Sequence, residues 1–234
     1  MPTGNFGNIL AAYYAMRMGL PVGRLVCASN KNNILTDFFK TGVYDKRREF
    51  YKTMSPSMDI LISSNLERLL FELSGRNAVR TKIRMDKLKS DGVYEIYDEE
   101  KEELAKLFYA DYCGEDETVE TIYEFFEEYQ YPMDTHTACA MYAAANYMEK
   151  EKDHDTPMVV VSTASPYKFP QDVMYALTGN DIKDSFKAIK HLNITTAMKV
   201  PKSLAGLRDK KVRFDTVADK DKLYPEVLRF AEKK

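Results

Sequence analysis

Short apolar runs alternate with stretches of helical periodicity along this chain, the texture of an α/β protein. Apolar spacing predicts a first helix from Asn5 to Met18, stopped by Gly19-Leu20-Pro21. Arg24 to Ser29 reads as a short strand that runs into the polar loop 30–33, and a second helix covers Ile34 to Lys40 before Gly42. Met58 to Ile62 is either a further short strand or a turn packed on one. A helix follows from Asn65 to Leu73, with Ser63 or Ser64 as its cap and Gly75 as its stop. From about 80 to 131 charges dominate, and Asp98 to Ala110 and Thr118 to Tyr129 carry apolar residues at helical spacing, with a small strand around 93–96. That stretch reads as a helical insertion or a lid-like subdomain; a solvated helical surface without further role is the plainer alternative.

The α/β pattern resumes with an Ala-rich helix from Thr135 to Tyr147. Met158 to Thr163 is a continuous β-branched run, the signature of a buried parallel strand. Ala164-Ser165-Pro166 turns it into a helix from Pro170 to Leu177. After Pro201 the tail is polar and helical, with Leu223, Val227, Leu228 and Phe230 as its packing face. These elements predict an open, mostly parallel sheet with flanking helices, in a single incomplete domain over 1–234.

Composition narrows the function classes. With 234 residues, 44% of them hydrophobic, the chain can fill a core. A net charge of −2 supplies no field for nucleic acid. Cys27, Cys113 and Cys139 are odd in number and widely spaced, with no CxxC or Cys/His cluster, which argues for free thiols in a reducing cytoplasm and against a zinc site. The apolar runs are too short for a membrane helix, and no signal-peptide pattern is present.

The first candidate for chemistry is the turn Gly4-Asn5-Phe6-Gly7-Asn8, which leads straight into an apolar helix. Unpaired N–H groups and the positive dipole end of a helix suit an anion, and glycines permit close backbone approach. Thr3 and Asn5 could add donors or cap the helix, so a ligand phosphate and a plain helix cap are both open. A turn of this kind normally follows a buried strand, so the sequence reads as the second half of a larger unit. The P-loop and G-x-G-x-x-G patterns are absent, and the lack of nearby basic residues disfavours a nucleic-acid-clamping GxxG loop. A second candidate is Ser162 to Phe169, which puts hydroxyls at the carboxyl end of the expected strand; local capping is the simpler account. His136 lies in the first turn of its helix, where a neutral ring is expected. Asn65 and Arg68 share a helical turn, and the guanidinium could clamp a carboxylate or phosphate or simply face solvent.

Several segments together resemble threonine synthase, a pyridoxal-phosphate (PLP) enzyme of the tryptophan-synthase-β, or fold type II, group. They are PTGNFGNILAAYYAMRMGLP at 2–21, NNILTDFFKTGVYD at 32–45, SPSMDILISSNLERLLFELSG at 55–75, DTHTA at 134–138 and STASPYKFP at 162–170. The resemblance implies that Gly4, Asn5, Phe6, Gly7 and Asn8 cradle the cofactor phosphate and that Thr163 hydrogen-bonds the pyridine nitrogen. It implies conversion of O-phospho-L-homoserine and water to L-threonine and phosphate, with Arg68, His136 and Lys168 as candidate substrate contacts. Relatives usually read DPHTA where this chain has Thr135. Their Schiff-base lysine lies upstream of the glycine turn, and no lysine here matches its motif. The chain is therefore expected to be a C-terminal half that is inactive alone. Its N-terminal half would come in cis, or from a second polypeptide that this half-subunit complements; a non-catalytic phosphate-binding protein is the other alternative.

Overall fold

The computed structural model describes residues 1–232. Helices α1 (Gly7–Arg17), α2 (Ile34–Thr41), α3 (Leu66–Leu73), α4 (Ala78–Ser90), α5 (Asp98–Leu107), α6 (Glu115–Tyr129), α7 (Thr135–Glu151), α8 (Pro170–Thr178) and α9 (Ser185–Thr196) surround two short sheets. Strand β1 (Leu25–Ser29) is buried at all five residues, as a strand enclosed by helical layers must be. It packs against α1, α2 and α7. The second sheet is the antiparallel pair of β2 (Val43–Asp45) and β3 (Val93–Glu95). β1 pairs in parallel with β4 (Phe108–Tyr112), Leu25 facing Phe108 and Ser29 facing Tyr112.

The other edge of β1 is met by the first residues of the chain. Thr3 N donates to Ala28 O at 2.9 Å and Ala28 N to Met1 O at 3.1 Å, a parallel bridge. Residues 1–3 thus run with β1 and release the glycine turn at its carboxyl end, where open α/β sheets place their ligands. Beneath the turn lies one core. Ile9, Leu10 and Tyr13 of α1, Phe38 of α2 and Leu66, Leu69 and Leu70 of α3 share it with Tyr44, Tyr94 and Phe108.

Three expectations need correction, and one open alternative, at Met58 to Ile62, resolves to the turn. The first helix begins at Gly7, because Phe6 takes a left-handed conformation that cannot propagate a helix. Helical spacing over 98–110 gives way at Leu107: Phe108 and Ala110 are buried and Tyr109 and Asp111 half-buried, the two-residue alternation of β4. The stretch 80–131 therefore contributes β3 and the parallel partner of β1, and its Leu88, Tyr94, Ile96 and Leu104 sit in the same core as α1 to α3. Met58 to Ile62 is no strand; a 3₁₀ turn at Pro56–Met58 leads into bends. Nor do residues 158–163 form a strand. A β-branched run becomes sheet only where a neighbour completes its ladder, and Met158 to Val161 make no backbone hydrogen bond among the described residues.

Residues from Val200 on form a unit of their own. It holds α10 (Lys202–Ala205), a 3₁₀ turn at Lys220–Lys222 and α11 (Leu223–Glu232). Leu223, Val227, Leu228 and Phe230, expected as its packing face, are exposed; Phe230 meets Phe214 edge-on with ring centroids 6.1 Å apart. Among the described residues no helix is long and apolar enough to cross a membrane, and no cluster of three His, Cys, Asp or Glu side chains could hold a metal. The three cysteines are buried and unpaired.

Candidate functional site

The glycine turn is fixed by backbone packing before any ligand is considered. A Cβ built on Gly4 would lie 2.8 Å from Met58 O and 3.0 Å from Met58 Cα, so only glycine fits there. Phe6 has φ 59° and ψ 15°, a conformation that costs about 1 kcal/mol or more unless its surroundings impose it. They do: its ring is fully buried, stacked on Phe39 at 5.7 Å and beside Phe108 at 5.9 Å. Its N–H donates to Thr3 Oγ1 at 2.9 Å, so Phe6 shapes the turn without offering a free donor.

That geometry leaves α1 uncapped. It has no side-chain cap and no acidic residue in its first turn. The first intrahelical bond runs from Leu10 N to Phe6 O, so Gly7, Asn8 and Ile9 keep unused N–H groups. Gly7 and Asn8 are exposed, and the helix dipole adds about half a positive charge at this end. Asn5 does not cap the helix. Its Oδ1 accepts from Ser64 N at 2.7 Å and Ser64 Oγ at 2.8 Å, and its carbonyl accepts from Asn65 Nδ2 at 2.8 Å. These bonds clamp the turn to the start of α3.

The same helix start brings in Arg68, whose Nη1 donates to Asn65 Oδ1 at 2.9 Å. The guanidinium is thus linked through Asn65 to the turn. Behind it, the Tyr44 hydroxyl accepts from Ser63 N at 2.8 Å and donates to Leu61 O at 3.2 Å; burial pushes its pKa up to about 12. Tyr44→Phe is expected to cost about 1–2 kcal/mol, because it strands a buried donor and acceptor next to Ser64. Urea unfolding checks this, and an unchanged midpoint would mean that water satisfies both groups.

On the opposite side, Asp134 caps α7, accepting from His136 N at 2.9 Å, Thr137 N at 3.2 Å and the Thr137 hydroxyl. Burial raises its pKa, but the hydrogen bonds from His136 and Thr137 outweigh that and hold the carboxyl below its ordinary range. Thr137 Oγ1 reaches Ser162 Oγ at 3.1 Å and the His136 ring meets Phe169 edge-on at 4.7 Å, so this capped end secures the segment 162–169. His136 is buried, with Nδ1 3.5 Å from Asp134 Oδ1 and Nε2 without a partner. Thr163 is exposed and its hydroxyl is uncommitted among the described residues. Lys168 Nζ donates to Ser57 Oγ at 3.1 Å, and the adjoining Met58 is the residue that presses on Gly4. The loop 55–59 therefore lies between the glycine turn and the segment 162–169.

Sequence inspection overlooked what holds that loop. Asp59 Oδ1 accepts from Asn30 Nδ2 at 2.8 Å, Asn32 Nδ2 at 2.9 Å and Thr53 Oγ1 at 2.7 Å, while Asn30 also reaches Ser55 Oγ at 3.0 Å. The signal was available in the asparagines that follow β1 directly, at a ligand-bearing strand end. Two surface cavities, lined by Arg80, Lys87 and Tyr97 and by Phe38, Gly42 and Leu104, share no residue with the turn.

Known proteins resemble this chain in sequence and fold. The family model described as "Threonine synthase, C-terminal" matches residues 137–225. Two solved structures superpose on the whole chain: PLP-bound threonine synthase from Brucella melitensis, with TM-score 0.83 and 35% identity, and threonine synthase from yeast, with TM-score 0.85 and 33% identity. The chain is similar to threonine synthases over their C-terminal part. Threonine synthase from Pseudomonas aeruginosa is 42% identical over 179 residues, 76% of this chain and 37% of that protein. Human threonine synthase-like 1 is 41% identical over 186 residues, 79% of this chain and 24% of that protein. The chain covers 46% of the Brucella structure and 47% of the yeast one, in each case under half. What it matches is the C-terminal part of a threonine synthase.

Proposed function

We propose that this chain serves the PLP-dependent conversion of O-phospho-L-homoserine and water to L-threonine and phosphate, in threonine biosynthesis, by holding the cofactor's phosphate and ring. The observation that carries this reading is the uncapped, acid-free start of α1 behind a turn that admits only glycine at position 4. A phosphate dianion fits there: three unused N–H groups and the dipole face it, and the Asn5 clamp makes the turn ready in advance. When bound, the cofactor supplies an electron sink for carbanion chemistry at the substrate's Cα and Cβ.

Each residue of the chain then has a task. Gly4 lets the backbone close up, Phe6 forces the turn, and Gly7 and Asn8 donate to the phosphate. Thr163 would offer a neutral hydroxyl to the ring nitrogen, which leaves that nitrogen unprotonated and tempers the sink. Arg68 and Lys168 bring positive charge to either side of the turn and would hold the substrate's own phosphate. His136, buried and oriented by Asp134, would contribute through Nε2. The covalent lysine would come from the half of the family's fold that this chain does not match. Three buried free thiols suit a reducing cytoplasm.

Isothermal titration of the chain with PLP tests the reading. One saturable site per chain, displaced by inorganic phosphate, is expected. Borohydride reduction of that mixture should trap no stoichiometric adduct at a single lysine. Absence of saturable binding would remove the cradle, and a single trapped lysine would place the covalent anchor within this chain.

A further inference from the structure

The charged stretch 80–101 builds a cavity that no step of the proposed reaction uses. Helix α4, the end of β3 and the start of α5 frame about 370 Å³, within the size range of small-ligand pockets. Its walls carry four cations, Arg80, Arg84, Lys87 and Lys101, against two carboxylates, Glu95 and Asp98. Two of the cations are already paired. Lys101 Nζ lies 2.9 Å from Glu95 Oε1 and 3.2 Å from Asp98 Oδ1. Arg84 is buried and forks onto Glu100, meeting Oε1 at 3.0 Å, while Glu100 Oε2 also accepts from Tyr97 N at 2.9 Å. The other two cations are not. Arg80 Nη1 stays 3.7 Å from Glu100 Oε1 and 3.8 Å from Glu99 Oε1, beyond hydrogen-bonding distance. Lys87 has no ion pair among the described residues.

We propose that this cavity binds a small organic phosphate monoester, its dianion between Arg80 and Lys87 and its apolar body against Ile83 and Tyr97. Seven residues apart, Arg80 and Lys87 share one face of α4, about 10 Å apart along its axis. A monoester brings nearly two negative charges at neutral pH and three strong acceptor oxygens, enough to engage both cations at once. A carboxylate brings one charge and two oxygens in a plane. Exposed Ile83 lies between the two cations in sequence, and the Tyr97 ring faces the same cavity. That ring also steadies the recognition group, with the Arg80 guanidinium 4.5 Å from its centroid. Beneath them the Arg84–Glu100 pair ties α4 to α5, so the walls are set before a ligand arrives.

The test titrates the full chain with phenyl phosphate and follows backbone amide shifts by NMR. Amides within 80–101 should shift and saturate with a dissociation constant below about 1 mM. Shifts at Gly4 to Asn8 report separately on the glycine turn. Inorganic phosphate, which lacks the apolar body, and benzoate, which lacks the dianion, should each bind at 80–101 at least fivefold more weakly. Arg80→Gln and Lys87→Gln should each weaken phenyl phosphate binding there at least fivefold, leaving the response at 4–8 and the thermal midpoint unchanged. The proposal is overturned if amides 80–101 do not saturate, or if both variants bind as tightly as the parent. It is equally overturned if inorganic phosphate or benzoate matches phenyl phosphate, because the dianion and the body would then not be read together.

Discussion

Gly4→Ala is expected to weaken PLP binding at least tenfold, about 1.4 kcal/mol, and to destabilise the fold by about 1–3 kcal/mol, the usual cost of forcing an atom into a filled space. The new methyl would meet Met58 O, Cα and C at 2.8, 3.0 and 3.1 Å, and all three are backbone atoms that cannot swing aside. Met58 in turn sits on a loop held by Asp59, Asn30 and Asn32, so relief would have to propagate into that network. Gly7→Ala is the matched control. Its Cβ would approach Asn65 Nδ2 at an ordinary 3.5 Å, so stability should change little. Titration calorimetry and urea unfolding of both variants decide the matter. Equal behaviour of the two would mean that the turn tolerates displacement and that close approach at Gly4 is unimportant.

Asp134→Ala should be the most damaging single change at the α7 end, about 2–4 kcal/mol. It removes an N-cap and leaves the Thr137 hydroxyl and two N–H groups without their buried acceptor. Asp134→Asn keeps one acceptor oxygen and should lose less. The pH dependence has a definite sign. Because hydrogen bonds hold the folded carboxyl below its ordinary value, near 3.9 when unfolded, its contribution is complete above that value. It is lost as pH falls through the lower folded value. Parent and Asp134→Ala stabilities, measured in urea from neutral pH down to about pH 3, should therefore converge only at the acid end of the range. Convergence already near pH 6 would assign the effect to a group other than Asp134.

Much of this molecule was legible before its structure. The glycine turn, α2, α3, α7 and α8 follow from local signals: Gly punctuation and apolar spacing. The failures share a physical cause. Whether Phe108 to Tyr112 is helix or strand depends on β1, more than seventy residues away, and no local spacing contains that contact. Met158 to Thr163 have a strand's composition, yet among the described residues no neighbour completes a ladder there. At the site, sequence left Thr3 and Asn5 open as added donors or helix caps; their side-chain oxygens instead accept from Phe6 N and from Ser64. Phe6 was legible as part of a motif, but its left-handed backbone follows from packing against Phe39 and Phe108.

That last residue links two properties usually kept apart. One side chain is both a brick of the interior and the bend behind the three unused amides, so the proposed anion seat could not loosen without opening the hydrophobic centre, nor survive its melting. Occupancy should consequently register as heat resistance: a ligand at a hundred times its dissociation constant would add about 2.7 kcal/mol to the apparent unfolding free energy. A melting curve read against ligand concentration would thus serve as a binding assay in a chain that need not turn anything over.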